Sequence, residues 1–167
     1  NIIGPRQKYD DPYRNVASIM INLMLQNRQP IIYGNGKQKR CFSYIDDDIF
    51  CLKKMALNKN VVGEIINIGP DEEFISINQL AEKISNKLKF NLNPTYVKGR
   101  PQEVNEATCS AEKARKLLNY KTQTNLDEGL SQMIKYIKKK GTKKFRYHLD
   151  LEIVNSLTPK TWKDKLF

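Results

Sequence analysis

Two arginines and one glutamate have types and spacing that suit a phosphorylated ligand. Arg40 follows a glycine turn that opens at Gly34, and Arg100 and Glu103 share the later run 99–104, which contains a proline. A guanidinium stays charged at any working pH and binds phosphate oxygens bidentately, whereas a carboxylate can accept hydrogen bonds from ribose hydroxyls. The two runs therefore predict part of a site for a sugar nucleotide, in which the arginines bind the diphosphate.

Short strands and the start of a helix would position Arg40. Residues 31–33 and 40–44 are predicted strands on either side of the glycine turn. Three consecutive aspartates at 46–48 then favour the positive N-terminus of a helix that reaches residue 57. We assign the apolar side chains of this helix mostly to the core: Phe50, Leu52, Met55 and Leu57.

Periodicity and capping residues outline the other elements. Residues 15–25 have the helical period, with an apolar face of Ile19, Met20, Leu23 and Met24. Ser76 and Gln79 form a capping box that predicts a helix start. The remaining expected elements are a buried strand over 64–68, an edge strand over 94–97, a short helix capped by Ser110 and a longer helix capped by Thr124.

Several segments, in order along the chain, resemble the extended short-chain dehydrogenase/reductase family, in particular its NAD-dependent nucleotide-sugar epimerases and dehydratases of the UDP-glucose 4-epimerase type. The similar segments are residues 1–7, 26–34, 34–48, 64–69, 99–104, 110–121 and 124–130. Ile3 stands where the family usually has tyrosine, and Cys41 replaces a common aspartate. The resemblance covers about residues 1–140 and implies an α/β fold: the C-terminal substrate-binding portion of an extended Rossmann-type epimerase, with a small mixed sheet and packed helices.

The resemblance also implies roles for individual residues. Arg40 and Arg100 would bind the two phosphates, and Glu103 the nucleotide ribose. The alternatives are two surface arginines and a solvated acid. Asn1 corresponds to an asparagine that contacts the sugar diphosphate.

The nucleoside would lie against a second set of residues. Asn15 and Val16 occupy the start of the helix that wraps the nucleotide, although Asn15 could equally be only a helix cap. Ile31 and Tyr33 lie where the family places residues around uracil, and the alternative for Tyr33 is a core aromatic. No metal ligands are predicted.

Two motifs of the family are absent from this chain. No Gly-x-x-Gly-x-x-Gly loop follows an opening strand, and no Tyr-x-x-x-Lys pair lies in a suitable helix. The first would bind a dinucleotide pyrophosphate and the second would supply the catalytic base. We therefore expect no catalytic residue here, NAD bound mainly by a missing N-terminal domain, a substrate-binding part over 1–140, a basic tail over 141–167, and no activity of the chain alone.

Composition narrows the class of protein. The 167 residues carry a net charge of +11, and many of the late cations follow residue 134 in a helix end and tail. We interpret these cations as a solvated surface rather than a nucleic-acid site, because no recognition motif accompanies them. There is no apolar run of about eighteen residues and no signal peptide, which favours a cytoplasmic protein without a membrane span. Three cysteines without metal spacing predict free thiols.

The first functional hypothesis is thus the nucleotide-sugar-binding half of an NAD-dependent UDP-sugar 4-epimerase, acting through a 4-keto intermediate and dimeric when complete. Two alternatives remain open: part of a dTDP-sugar 4,6-dehydratase, or a basic binding module without chemistry. The substrate would be a UDP-sugar or a dTDP-sugar.

Overall fold

The computed structural model describes residues 1–167, in which helices and very short strands alternate. The strands are β1 (Ile2–Ile3), β2 (Ile31–Tyr33), β3 (Lys39–Arg40), β4 (Ser43–Tyr44), β5 (Ile75–Ser76), β6 (Thr95–Val97) and β7 (Glu106–Ala107). The helices are α1 (Val16–Leu25), α2 (Ile45–Leu57), α3 (Ile77–Leu88), α4 (Glu112–Leu118), α5 (Leu126–Lys140) and α6 (Lys160–Lys163), and a 3-10 turn covers Lys59–Val61. None of these helices is both long and apolar enough to cross a bilayer.

Three small sheets organise the strands, and the expected α/β class with mixed pairing is confirmed. β1 pairs with β4 and β2 pairs with β6, both in parallel, while β3 lies between antiparallel β5 and parallel β7. The prediction of one strand over 40–44 was wrong, because β3 and β4 pair with partners in different sheets and the chain breaks between them at Cys41 and Phe42. Arg40 therefore lies at the end of the central strand of the mixed sheet.

The main core lies between α1, α3 and α5. α1 is buried on all sides from Ala17 to Met24, not only on the predicted face, since α3 and α5 both pack against it. Its polar Asn22 is satisfied there, because the side-chain amide donates to the carbonyls of Tyr9 and Lys143. The large apolar side chains that fill this core include Leu80, Ile84, Leu130, Met133 and Ile137.

Caps define where the two outer core helices begin. The predicted capping box of α3 is present, with Ser76 Oγ accepting from the Gln79 amide and the Gln79 side chain accepting from the Ser76 amide. α5 is capped by Asn125, whose side chain accepts from the Glu128 amide, so the predicted cap at Thr124 was wrong by one residue. Both helices present an apolar stripe to α1, which fixes their position beside it.

α2 differs from its prediction in what it buries. Its bounds agree with the sequence, but Phe50, Leu52 and Leu57 are exposed, and the buried residues are Asp47, Asp48 and Cys51. The helix turns its polar first turn inward because the Asp47 carboxylate accepts backbone hydrogen bonds from Gln123 and Thr124, and Asp48 accepts one from Ser43 Oγ.

The segment 64–68 was predicted as a buried strand, and this was also wrong. It pairs with no strand of the chain, and Ile65 is 86% exposed. We define the α2 surface as the exposed apolar side chains of α2 and the connection after it, namely Ile49, Phe50, Leu52, Leu57, Val62 and Ile65.

Candidate functional site

One cleft contains every residue that the sequence pointed to as a site residue. It encloses about 280 Å³ between the start of α1, the end of β2, β3 and the loop after β6. The predicted residues that line it are Asn1, Asn15, Val16, Ile31, Tyr33, Arg40, Arg100 and Glu103. Residues as far apart in the sequence as Asn1 and Glu103 are thus brought together.

The glycine turn brings the loop of Arg100 beside the strand of Arg40. Gly34 and Gly36 have φ values of 62° and 70°, a region that favours glycine. A Cβ on Gly36 would lie only 1.9 Å from Oδ1 of Asn78, and one on Gly34 would contact the Gly99 backbone at 3.8 Å. The turn therefore packs closely on the first turn of α3 and on the Gly99 loop, which places the two arginine-bearing segments side by side.

Glu103 links the two arginines. Its Oε1 accepts a hydrogen bond of 2.6 Å from Nη2 of Arg40, and its Oε2 lies 3.8 Å from Nε of Arg100. Arg40 also donates from Nη1 to the Lys39 carbonyl at 2.7 Å, and its side chain is only 14% exposed. Glu103 is thus the acid that orients Arg40.

The guanidinium of Arg100 lies near two aromatic rings. Its Cζ is 5.5 Å from the ring centroid of Tyr33 and 5.6 Å from that of Trp162, both within the range of cation–π attraction. As a lone tryptophan in a tail without a clear period, Trp162 is predicted by the sequence to be a packing or interface anchor rather than a site residue. No period or motif after residue 141 indicates that this ring lies beside the loop of residues 99–104.

Asn15 caps α1 at the edge of the cleft. Its side-chain oxygen accepts from the Ala17 amide at 2.9 Å, so the alternative role as a helix cap is present in the structure. Asn1 is exposed, and its carbonyl accepts from the Ser43 amide beside β4. The N-terminal end of α1, with its positive dipole, thus faces the same space as the arginines.

Positive charge dominates the cleft. Arg14, which the sequence reasoning missed, lines it together with Arg40 and Arg100, whereas Glu103 is the only carboxylate among its lining residues. Arg14 donates from Nε to the buried Asp11. Burial raises the pKa of Asp11, but hydrogen bonds from the Tyr13 amide and Arg14 outweigh this effect and hold the pKa below its usual value. The arrangement is suited to binding an anion with more than one phosphate.

Two larger cavities adjoin the cleft and share Tyr33 and Arg100 with it. One, of about 500 Å³, runs along the glycine turn and the loop after Gly99. The other, of about 360 Å³, lies between α1 and the end of the chain and is mostly apolar. A cationic centre with a polar space on one side and an apolar space on the other can accept an elongated ligand that has charged and aromatic parts.

The tyrosine–lysine spacing singled out in the sequence lies away from the cleft. The Tyr-x-x-x-Lys spacing occurs in a helix at Tyr136 and Lys140, but Tyr136 packs against the core and Lys140 is exposed at the end of α5, away from the cleft. All three cysteines are free, and no cluster of His, Cys, Asp or Glu could hold a metal.

Comparisons with known proteins agree on one family. A family model described as GDP-mannose 4,6 dehydratase matches residues 1–133. A protein of Methanocaldococcus jannaschii, provisionally assigned as a UDP-glucose 4-epimerase, is 38% identical over 83% of this chain and 43% of its own length. The UDP-N-acetyl-alpha-D-glucosaminuronate decarboxylase of Bacillus cytotoxicus is 31% identical over 83% of this chain and 44% of its own.

Solved structures give the same result. The UDP-glucuronic acid 4-epimerase of Bacillus cereus, solved in complex with UDP-glucuronic acid and NAD, superposes with a TM-score of 0.77 at 31% identity. The match covers 84% of this chain and 44% of that one. The chain thus spans less than half the length of the relatives it matches. It belongs to the extended short-chain dehydrogenase/reductase family of NAD-dependent nucleotide-sugar epimerases and dehydratases.

Proposed function

We propose that this chain is the nucleotide-sugar-binding part of an NAD-dependent UDP-sugar 4-epimerase that acts through a 4-keto intermediate. The observation that carries the proposal is the convergence of Arg40 and Arg100, from two separate motifs, on one cationic cleft. Arg40 and Arg100 bind the diphosphate, with Asn1 beside it, while Glu103 orients Arg40 and accepts a hydrogen bond from the ribose. Relatives whose names refer to UDP-sugars support UDP as the carrier.

The nucleoside lies on the side of the cleft formed by α1 and β2. Val16 and Ile31 provide apolar contacts, and Asn15 fixes the start of α1. Tyr33 lies between this side of the cleft and Arg100. Such contacts far from the reacting sugar carbon would position the substrate without taking part in chemistry. The carrier can then stay bound while the sugar ring changes its orientation.

The residues of this chain do not fit NAD by themselves. The glycine turn at Gly34 and Gly36 leads into strand β3 rather than into a helix N-terminus, so it cannot form the usual dinucleotide pyrophosphate site. We propose that NAD and the catalytic Tyr-x-x-x-Lys pair belong to a further domain, which packs on the α2 surface. Residues 1–140 then form the substrate-binding part of a cytoplasmic enzyme that is a homodimer when complete.

A decarboxylase is the second candidate, because the Bacillus cytotoxicus relative has that activity in its name. It would use the same binding site for the carrier. Product analysis of the complete enzyme with UDP-glucuronic acid distinguishes the two, since only decarboxylation releases carbon dioxide and yields a pentose.

Calorimetric titration of UDP into the 167-residue chain tests the binding proposal. Arg40→Ala and Arg100→Ala should each weaken UDP binding by about 1.5–3 kcal/mol, the scale of a hydrogen bond to a charged group. Arg146→Ala is the matched control, because Arg146 is an exposed arginine outside the cleft. Unchanged UDP affinity in both cleft variants would reject the site. A parallel NAD titration should show no tight binding, and no nucleotide sugar should be turned over by this chain alone.

A further inference from the structure

The end of the chain is bonded to the cleft through Tyr33. We define residues 159–167 as the C-terminal segment, which begins just before α6 and lies outside the part matched by the family model. The Tyr33 hydroxyl donates to Oγ1 of Thr161 at 2.8 Å and accepts from the Thr161 amide at 2.8 Å. Thr161 is 3% exposed. Tyr33 is therefore held by the segment at its polar end, while its ring lines the cleft.

Trp162 attaches the same segment to the residues before α1. Its Nε1 donates to the Pro12 carbonyl at 3.3 Å, and its ring packs edge-to-face on Tyr13 at 5.1 Å. These contacts fix the ring beside Arg100. They use the indole N–H and one ring edge, and the ring also approaches the guanidinium at 5.6 Å.

Further contacts keep the segment in place. The Phe167 amide donates to the Tyr147 hydroxyl at 2.9 Å, the Phe167 ring packs on Phe145 at 5.1 Å, and Arg28 donates to the Leu166 carbonyl. The segment thus forms one wall of the apolar cavity whose opposite wall is α1. Contacts before and after Trp162 in the sequence thus hold the segment in place.

Arg100 has few other constraints. Its side chain is 40% exposed, and its contact with Glu103 is 3.8 Å, longer than a hydrogen bond. An exposed arginine with one loose ion pair keeps much of its rotamer freedom, and that freedom is lost when it binds a phosphate. Two aromatic rings close to the guanidinium reduce this loss before the ligand arrives.

We propose that Trp162 is a positioning residue of the nucleotide site, which holds the Arg100 guanidinium in place for the diphosphate, and that the C-terminal segment is therefore part of the site. The inference rests on the proposed function, because the ligand is the diphosphate of UDP. The inference adds the C-terminal segment, which no matched motif contains, to the proposed binding site.

The sole tryptophan of the chain makes a direct test possible. Titration with UDP should change the Trp162 fluorescence saturably, with the midpoint that calorimetry gives for the same protein. Trp162→Ala should weaken UDP binding roughly 3- to 30-fold, the range of a cation–π contact, and Trp162→Phe should restore most of the affinity because it keeps a ring. Lys163→Ala, on the exposed side of the segment, should bind as the wild type does.

A double-mutant cycle separates positioning from a general structural effect. If Trp162 acts through Arg100, Trp162→Ala should cause no further loss of UDP affinity in an Arg100→Ala background. An equal loss in both backgrounds, or wild-type affinity of Trp162→Ala with unchanged emission on UDP addition, would overturn this inference and leave the proposed function intact. Calorimetry that detects no UDP binding to the wild type would overturn both.

Discussion

Glu103 is the residue on which the geometry of the cleft depends most. It is the only carboxylate there, and its two oxygens face the two arginines that the sequence singled out. The Glu103 carboxylate forms a half-buried ion pair with Arg40. It offsets part of the positive charge of the cleft and fixes the Arg40 guanidinium. A carboxylate has acceptor capacity beyond these contacts, so it can also meet a ribose hydroxyl.

Substitution of Glu103 by glutamine separates these two roles. Glu103→Gln should weaken the binding of UDP by about 1 kcal/mol, because the acceptor for the ribose is weaker and the arginines are less well oriented. Inorganic pyrophosphate has no ribose and should lose less affinity. Calorimetry with both ligands measures the difference, and Glu106→Gln, at an exposed position of β7, is the control. Equal losses for the two ligands would show that Glu103 acts only through the arginines.

At the residue scale, motif residues were predictable and their neighbours were not. Arg40, Arg100 and Glu103 stand in short runs whose chemistry is visible in the sequence, and the structure places them together. Arg14 reaches the same space, and Trp162 the adjoining apolar cavity, through the path of the chain, which no local pattern indicates. The shared contact of Glu103 with both arginines likewise depends on the glycine turn packing against the Gly99 loop.

At the element scale, helices with a cap and an apolar stripe were predicted well, and burial was predicted correctly only where a described element packs on the apolar face. α3 and α5 bury the stripes that their sequences indicate, because α1 packs against both. α2 has equally clear bounds, yet Leu52 and Leu57 are exposed since no described element covers them. A helical period of apolar residues shows that one face of the helix needs a packing partner. The pattern does not show which segment provides that partner.

The connection before β5 is fixed to α4 by ion pairs with Arg115, of which the pair with Asp71 predicts a pH dependence. Asp71 accepts two hydrogen bonds of 2.8 Å from the Arg115 guanidinium and one from the Ala111 amide. These hydrogen bonds lower the pKa of Asp71 from 3.8 to about 2, and those from Arg115 have the largest effect. Because folding lowers the pKa of Asp71, its contacts stabilise the folded state fully at pH values above the pKa of the unfolded chain. This stabilisation is lost as the pH falls toward about 2.

Asp71→Asn should therefore unfold at a lower temperature than the wild type at pH 7, and the difference should shrink as the pH approaches 2. Thermal unfolding followed by circular dichroism at both pH values measures this change. Asp150→Asn removes an exposed carboxylate near the end of the chain and should show no such pH-dependent difference. A gap between wild type and Asp71→Asn that is the same at both pH values would contradict the assignment.

At the scale of the whole molecule, the chain has a net charge of +11 and carries two distinct positive surfaces. One is the cleft, which is lined by three arginines and a single carboxylate. The other is the end of α5 and the chain after it, where the cations are exposed. Only the cleft has an enclosed shape and fixed hydrogen-bond geometry, so the two surfaces should differ in what they bind. The exposed cations offer charge without a shaped pocket, which suits weak polyanion binding.

Neutralising the second surface should leave nucleotide binding nearly unchanged. Exposed charges farther than about 10 Å are largely screened at roughly 0.1 M salt. A variant with the surface lysines replaced by glutamine and a variant with Arg40→Ala and Arg100→Ala should each be titrated with UDP and with a DNA duplex. The lysines to replace are Lys135, Lys138, Lys139, Lys140, Lys143 and Lys144.

The arginine variant should lose UDP binding and keep any affinity for DNA, whereas the lysine variant should lose DNA affinity and keep UDP binding. The physical reason is that a diphosphate in the cleft is bound by directed hydrogen bonds, which depend on two specific guanidinium groups, while a duplex responds to the sum of exposed charge. UDP affinity that followed the lysines instead of the arginines would show that the ligand binds outside the cleft. The chain would then be a basic binding module, and the role of Arg40 and Arg100 in holding the sugar carrier would have to be abandoned.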